Sequence, residues 1–168
     1  MLRPVDPEGM RAGWAALEDE WAKTITRAQA LPEAMLHESV NGEWSFVQTL
    51  RHLVFAMDKW FTAPILGAGF HPIGLPNTGS VDFPWPGLDA DLTPSLAEAL
   101  AARADRATCF RGYLATVAAS DFTRPVDVLE NGPNPLQECI YTVLEEEFWH
   151  NRYARRDLAL LEAAGETR

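Results

Sequence analysis

Four segments of this chain place apolar residues at helical spacing behind a helix-start signal, and this pattern restricts the chain to an all-α fold. Apolar side chains that recur every three or four residues share one helix face, which must be buried against another helix. The segments predict helices at about 6–30, 45–63, 93–119 and 134–164. A short β-like piece at 125–129 is too isolated to form a sheet.

Each predicted helix begins with residues that can bond to the free amide groups of a first helical turn. Three of the four starts place a capping residue before a proline, which is tolerated at the first helical position. They are Asp6-Pro7, Thr93-Pro94, and Asn134-Pro135 followed by Gln137. In the second helix, Ser45 and Gln48 form a capping box, in which each side chain accepts from the other's backbone amide.

The connection between the second and third helices, at 63–92, is long for a helix-to-helix loop. Prolines throughout it exclude a continuous helix. They are Pro64, Pro72, Pro76, Pro84 and Pro86. One long crossover between two short connections allows the second and third helices of a bundle to run in the same direction. We therefore predict a single four-helix-bundle domain over 1–168 with up-down-down-up order.

The charge balance excludes several classes of partner. With a net charge of −10, the chain lacks the clustered Lys and Arg that nucleic acids and anionic membrane surfaces require. No apolar run approaches the roughly 20 residues that span a bilayer, and the start lacks the apolar stretch of a secretory signal. We expect a cytoplasmic protein. Cys109 and Cys139 form no disulfide framework or metal motif, and we expect both to be buried.

A split trio of His52, Glu146 and His150 is the strongest chemical signal. Glu146 and His150 are four residues apart, so both leave the same face of the last helix. Two imidazoles and one carboxylate are the ligands of a catalytic divalent metal with one open coordination position. If the fold places His52 opposite the other two, the bundle holds a metal at its centre.

Alternative interpretations exist for parts of this pattern. The run 145–147 is typical of a solvated acidic face, yet three consecutive residues span about 200° of a helix and cannot all face water. Glu147 and His150 also match the Glu-x-x-His signature of di-iron bundles. Only one copy is present, because Thr49 stands three residues before His52, so a mononuclear site is favoured.

Other polar and aromatic residues give weaker signals. His37 and His71 fall in connecting segments and are interpreted as surface residues, and most of the aromatic residues are typical of a core. The crossover is a candidate border of the metal site and of a substrate cavity. By residue type alone, the candidates for a general acid or base are Tyr113, Asn151, Tyr153 and Arg156.

Two segments resemble the DinB-like superfamily, which includes the mycothiol-dependent maleylpyruvate isomerases and the bacillithiol transferases. The first is Asn41-Gly42-Glu43-Trp44-Ser45 followed by Leu50-Arg51-His52-Leu53, which resembles the family's "W-S … H-L" segment. The second, 145–158, resembles the last-helix segment of an actinobacterial-type branch. The layout of the whole chain agrees with this resemblance.

The resemblance implies an up-down-down-up bundle, often a homodimer, with a divalent metal that is commonly zinc or nickel. Its ligands would be His52, Glu146 and His150. Many members have histidine in place of Glu146, but the mycothiol-dependent isomerases resemble the Glu-x-x-x-His form. A low-molecular-weight thiol bound to such a metal becomes a nucleophile at neutral pH.

Three hypotheses about function follow. The first is a metal-dependent enzyme with a small-molecule substrate, which is either a thiol-dependent S-transferase or an isomerase. The second is a non-catalytic, stress-related helical bundle with a structural or vestigial metal site. The third is hydrolysis by a metal-bound water, which would use the same ligands.

Overall fold

The computed structural model describes residues 3–77 and 83–166 and shows a chain that is mostly helical. The helices are α1 (Pro7–Gln29), α2 (Glu33–Leu36), α3 (Phe46–Met57), α4 (Ala63–Leu66), α5 (Leu96–Thr116) and α6 (Leu136–Glu166). A π-helical segment, Asp58–Thr62, joins α3 to α4 without a break. Short 3-10 turns lie at Ala119–Asp121 and Leu129–Asn131. The predicted all-α class is confirmed.

Side-chain contacts show how the long helices run relative to one another. Residues later in α1 contact residues later in α6: Trp21 contacts Glu147, and Arg27 contacts Glu162. Contacts between the α3–α4 segment and α5 also advance together, from Asp58 with Arg106 to Phe61 with Phe110. Contacts between the α3 region and α6 run in opposite order, from Glu43 with Arg156 to His52 with Glu146. Helices α1 and α6 therefore run in the same direction, as do the α3–α4 segment and α5, whereas α3 and α6 run in opposite directions.

The core consists of the apolar stripes of these helices. The predicted stripe of the second helix is fully buried, and it comprises Leu50, Leu53, Val54, Met57 and Phe61. Trp14 of α1 packs edge-on against Phe110 of α5 at 4.8 Å, and Phe110 in turn packs edge-on against Phe61 at 5.0 Å. None of the helices in the described part of the chain is both long and apolar enough to cross a bilayer.

Two predicted helix starts are correct and two are wrong. Asp6 caps α1, and Ser45 with Gln48 forms the predicted capping box of α3. The third long helix begins at Leu96 rather than near Thr93, because Ser95 and Glu98 form a capping box of their own. The last helix begins at Leu136, because Asn134 and its two flanking prolines are in a strand.

The prediction that no sheet forms near 125–129 is also wrong. Strand β1 (Pro125–Asp127) pairs antiparallel with β2 (Pro133–Pro135), with Val126 opposite Asn134. Val126 and Val128 are buried in the core, so this small hairpin covers one end of the bundle. The prediction fails because the prolines around Asn134, which are typical of a helix start, are also tolerated in a strand at a sheet edge.

Boundaries and cysteines need two further corrections. The second long helix continues through the π-helical segment to Leu66, beyond the predicted end at 63, and stops at Gly67 with φ +68°. Cys139 is buried as predicted, but Cys109 is exposed, because it lies on the solvent side of α5. Burial raises the pKa of the Cys139 thiol to about 11.

Replacing Ser95 with alanine tests the observed start of α5. The change removes the side-chain acceptor of the Glu98 amide, so we expect the free energy of unfolding to fall by about 1 kcal/mol. Urea denaturation measures this loss. Thr93→Ala is the matched control, with an expected effect below about 0.5 kcal/mol. A larger loss in Thr93→Ala than in Ser95→Ala would restore the start predicted from the sequence.

Candidate metal centre

The predicted ligands His52, Glu146 and His150 lie together between α3 and α6. These helices run in opposite directions, so the middle of one faces the middle of the other. One ring nitrogen of each histidine and one carboxylate oxygen all lie within 4.8 Å of one another. His52 Nε2 and His150 Nδ1 are each 3.3 Å from Glu146 Oε2. The fold thus joins side chains that are 94 residues apart in the sequence.

Backbone carbonyl groups orient both imidazole rings. Nδ1 of His52 lies 3.0 Å from the carbonyl oxygen of Leu75, and Nδ1 of His150 lies 2.8 Å from that of Glu146. A carbonyl oxygen only accepts hydrogen bonds, so we assign the proton of each neutral ring to Nδ1. The lone pair is then on Nε2, where a metal can bind. Leu75 belongs to the crossover, which therefore borders the site.

The contact between His52 and Glu146 fits a cation. Nε2 of His52 lies 3.3 Å from a carboxylate oxygen of Glu146. Two electron-rich atoms this close repel each other unless a proton or a metal ion lies between them. Two imidazoles and one carboxylate also form the ligand set of several catalytic divalent metals. The residues present therefore fit a divalent metal ion.

The protonation equilibria of two ligands favour the metal-binding forms. Burial raises the pKa of Glu146, but the His52 hydrogen bond and nearby positive charge, including that of Lys59, outweigh it and hold the pKa below its ordinary value. Burial lowers the pKa of His150, and the neighbouring His52 lowers it further, against the opposing effect of Glu146. Both groups are therefore deprotonated at neutral pH, as metal ligands must be.

We expect bound metal to be released on acidification only below the ordinary histidine pKa of about 6.5. Protons compete for a ligand once the pH falls to its pKa, and burial lowers that value for His150. Folding stability should change in the same direction. Because the pKa of His150 is lowered in the folded protein, its contribution to stability is present above about pH 6.5 and is lost as the pH falls below that value. Metal content after dialysis from about pH 8 to about pH 5 measures the midpoint. A midpoint above about pH 7 would contradict this expectation.

A groove of about 600 Å³ opens beside His150. His150 forms part of its wall, and Trp44 packs over the imidazole rings, with its ring centre 4.5 Å from that of His52. Tyr153, Thr49 and Asn77 add polar groups to the lining. The groove therefore combines a flat aromatic wall, several hydrogen-bonding groups and one edge of the candidate metal site.

The three consecutive glutamates of α6 have different environments. Glu146 turns toward the histidines, and Glu145 is partly exposed. Glu147 is 2% exposed and is paired with Arg103 of α5, whose guanidinium lies 4.6 Å from the ring centre of Trp21. Burial raises the pKa of Glu147, while Arg103 opposes this effect. Glu147 therefore belongs to the core and takes no part in a Glu-x-x-His metal site.

The remaining candidates from the sequence differ in whether they line this groove. Only Tyr153 lines the groove, and its ring contacts that of His150 edge-on at 5.8 Å. Asn151 is buried and donates to Thr24, and Tyr113 accepts from Arg124. Three further side chains have structural or surface contacts. They are Arg156 (paired with Asp157 and Glu43), His71 (accepting from the Ile73 amide) and His37 (exposed beside Glu33).

Sequence reasoning missed several residues that shape the site. The role of the Leu75 carbonyl has no sequence signal, since every residue has a carbonyl group. Trp44 packs over the imidazole rings, and its position just before the α3 capping residue is its sequence signal. The ammonium of Lys59 is buried beside Glu130 at 2.6 Å, and its charge helps lower the pKa of Glu146.

Comparison with known proteins gives one family. A sequence model of the DinB superfamily matches residues 16–154. The matched range runs from α1 into α6 and includes all three candidate metal ligands. The comparisons with curated proteins and with solved structures give no match.

Proposed function

The chain belongs to the DinB superfamily, and we propose that it is an enzyme that depends on a divalent metal held by His52, Glu146 and His150. One observation carries this proposal: the fold brings two imidazoles and a carboxylate together with both Nδ1 atoms on backbone carbonyls. Several divalent metals accept this ligand set, and zinc or nickel is proposed from the family resemblance.

Three protein ligands leave a coordination position open toward the groove. A metal ion bound there lowers the pKa of a thiol at this position, so that the thiol reacts as thiolate at neutral pH. The aromatic face of Trp44 would stack on a substrate, while Tyr153 and Asn77 would orient its polar groups by hydrogen bonds. No cysteine is among the described residues that line the groove, so the nucleophilic sulfur would come from a co-substrate.

We propose that the co-substrate is a low-molecular-weight thiol of the mycothiol kind and that the reaction is S-transfer to a small electrophile or an isomerisation. The cytoplasm, where such thiols are kept reduced, is the matching location. A homodimer is proposed from the family resemblance. Hydrolysis by a metal-bound water is the competing use of the same site.

An activity panel tests this function. Metal-loaded protein is incubated with a thiol and a set of small electrophiles, and adduct formation is followed by mass spectrometry, beside ester and amide substrates. We expect thiol adducts above the uncatalysed rate, reduced by about 10²-fold or more in His150→Ala because the metal is lost.

Tyr153→Phe separates orientation from metal binding. It should keep the metal while reducing the rate by up to about tenfold, if the hydroxyl group positions a substrate. Ester or amide cleavage without thiol adducts would favour hydrolysis. Full metal content with no turnover in either assay would favour the non-catalytic bundle.

A further inference from the structure

A second, smaller pocket lies at the N-terminal end of α3. Its volume is about 250 Å³, and Gln48 lines both this pocket and the groove beside the metal ligands. The polar groups around it come from three parts of the chain. They belong to His37, Ser45, Gln48, Arg51 and Thr93.

Arg51 supplies an unbalanced buried charge to this pocket. The residue is 6% exposed, and its Nε donates to the Ile73 carbonyl at 2.7 Å. Its Nη2 has no hydrogen-bond partner, and no carboxylate of the described residues lies within 4.0 Å of the guanidinium. Burial lowers the pKa of Arg51 and the charge of exposed Asp89 opposes this effect, yet an arginine stays protonated.

Other buried charges of this protein have counter-charges. Glu147 is paired with Arg103, and the buried carboxylate of Asp58 lies 2.6 Å from Arg106. Lys59 lies at the same distance from Glu130. A buried charge without a partner is costly, so proteins rarely retain one. Arg51 is therefore a cation whose counter-ion the described residues do not supply.

The first turn of α3 adds further donors. The Ser45 hydroxyl accepts from the Gln48 amide, which leaves the first amide groups of the helix without a partner inside it. The Gln48 carbonyl oxygen is bonded to the Ser45 amide, so its NH₂ group remains as a donor. No acidic residue occupies this turn. Helix N-termini with these properties attract anions.

We propose that this pocket binds a small oxyanion, either inorganic phosphate or the phosphate group of a small metabolite. The guanidinium of Arg51 would balance the charge, and the Gln48 amide, the Thr93 hydroxyl and the α3 N-terminus would donate hydrogen bonds to its oxygens. A pocket of this size holds a phosphate group and a short organic remainder. The site is separate from the metal ligands and does not depend on their function.

Thermal unfolding with and without phosphate tests the site, with sodium chloride at equal ionic strength as the reference. Phosphate at about a hundredfold above its Kd should raise the Tm of the parent by about 5 °C or more. Arg51→Met should show no such rise, and without phosphate its Tm should equal or exceed that of the parent, since it removes an unpaired buried charge. Arg11→Met, which changes an exposed arginine of α1, should respond like the parent.

Two further variants keep the result interpretable. His52→Ala removes a metal ligand and should keep the full phosphate response, which separates this site from the metal site. Thr93→Val tests the pocket without touching Arg51 and should weaken phosphate binding by about tenfold in calorimetric titration.

A response to glycerol 3-phosphate at least equal to that of phosphate identifies the metabolite as the source. A stronger response to inorganic phosphate identifies the free ion.

Clear outcomes would overturn the proposal. One is an equal Tm response to phosphate and chloride in the parent. Another is an unchanged phosphate response in Arg51→Met and Thr93→Val. A third is a parent that ignores phosphate while Arg51→Met and Asp89→Asn both lose stability, because Arg51 would then be a structural partner of Asp89.

Discussion

Replacing His52 with alanine is expected to lower bound metal from about one equivalent per chain to nearly none. The substitution leaves one carboxylate and one imidazole, which is too few ligands to retain zinc or nickel against dialysis. His52 is also the ligand whose ring is oriented by the crossover through Leu75. The substitution therefore removes the only candidate ligand on α3 and leaves the two on α6. We expect the affinity for the metal to fall by about 10³-fold or more.

Elemental analysis of purified protein after loading with zinc or nickel measures this effect. His37→Ala is the matched control, because His37 is an exposed histidine paired only loosely with Glu33 at 3.6 Å. It should keep the parent's full metal content. His150→Ala should behave like His52→Ala. A parent without metal after loading, or a His52→Ala variant that retains it, would refute the assignment of these ligands.

The stability of the same variants distinguishes a catalytic from a structural metal. An open catalytic site can lose its metal with little unfolding, whereas a structural site contributes several kcal/mol to folding. The core around the site is formed by apolar side chains of α3 and α6 and does not involve the three ligands. We therefore expect chelation of the parent to shift its Tm by only a few degrees.

The second large effect is expected at Glu147, where replacement by glutamine should lower the free energy of unfolding by about 3–5 kcal/mol. The substitution keeps the volume of the side chain but leaves Arg103 buried without its counter-charge. Arg103 cannot escape to water by a small movement, since it is 9% exposed and packs over Trp21. The cost therefore comes from the unpaired cation rather than from lost contacts.

Urea denaturation of three single variants measures this contrast. Glu145→Gln should change stability by less than about 0.5 kcal/mol, because Glu145 is partly exposed. Glu146→Gln should lose metal without the large loss of stability. The double variant Arg103→Met/Glu147→Leu should recover most of the stability that Glu147→Gln loses, because an apolar pair replaces a buried ion pair at little cost. Equal stability losses at 145 and 147 would show that the ion pair is not the reason.

Helix prediction succeeded where the relevant interactions are local. The capping box of Ser45 and Gln48 involves residues three apart, and the apolar stripe of α3 follows from its own periodicity. The starts at Thr93 and Asn134 failed for different reasons. A stronger capping pair begins at Ser95, two residues farther on, and Asn134 pairs in a strand with Val126, eight residues away.

The candidate site was predictable in part. The spacing of Glu146 and His150 placed both on one helix face, and the residue type of His52, together with the family resemblance, indicated it as the third ligand. The run of glutamates left open which of them faces the bundle, because neighbouring helical residues differ by only about 100° in direction. Contacts with α1 and α5 decide that Glu147 enters the core and that Glu146 turns toward the histidines.

The sequence by itself determined the helical class, the apolar faces and the chemical types of the candidate metal ligands. These properties depend on the periodicity and the capping of short segments, and such interactions act between residues a few positions apart. Only the tertiary structure decided that the Leu75 carbonyl orients His52, that Trp44 covers the rings, and that Arg51 is buried without a counter-charge. These features arise where segments distant in sequence pack together, and the packing depends on the combined burial of all of them.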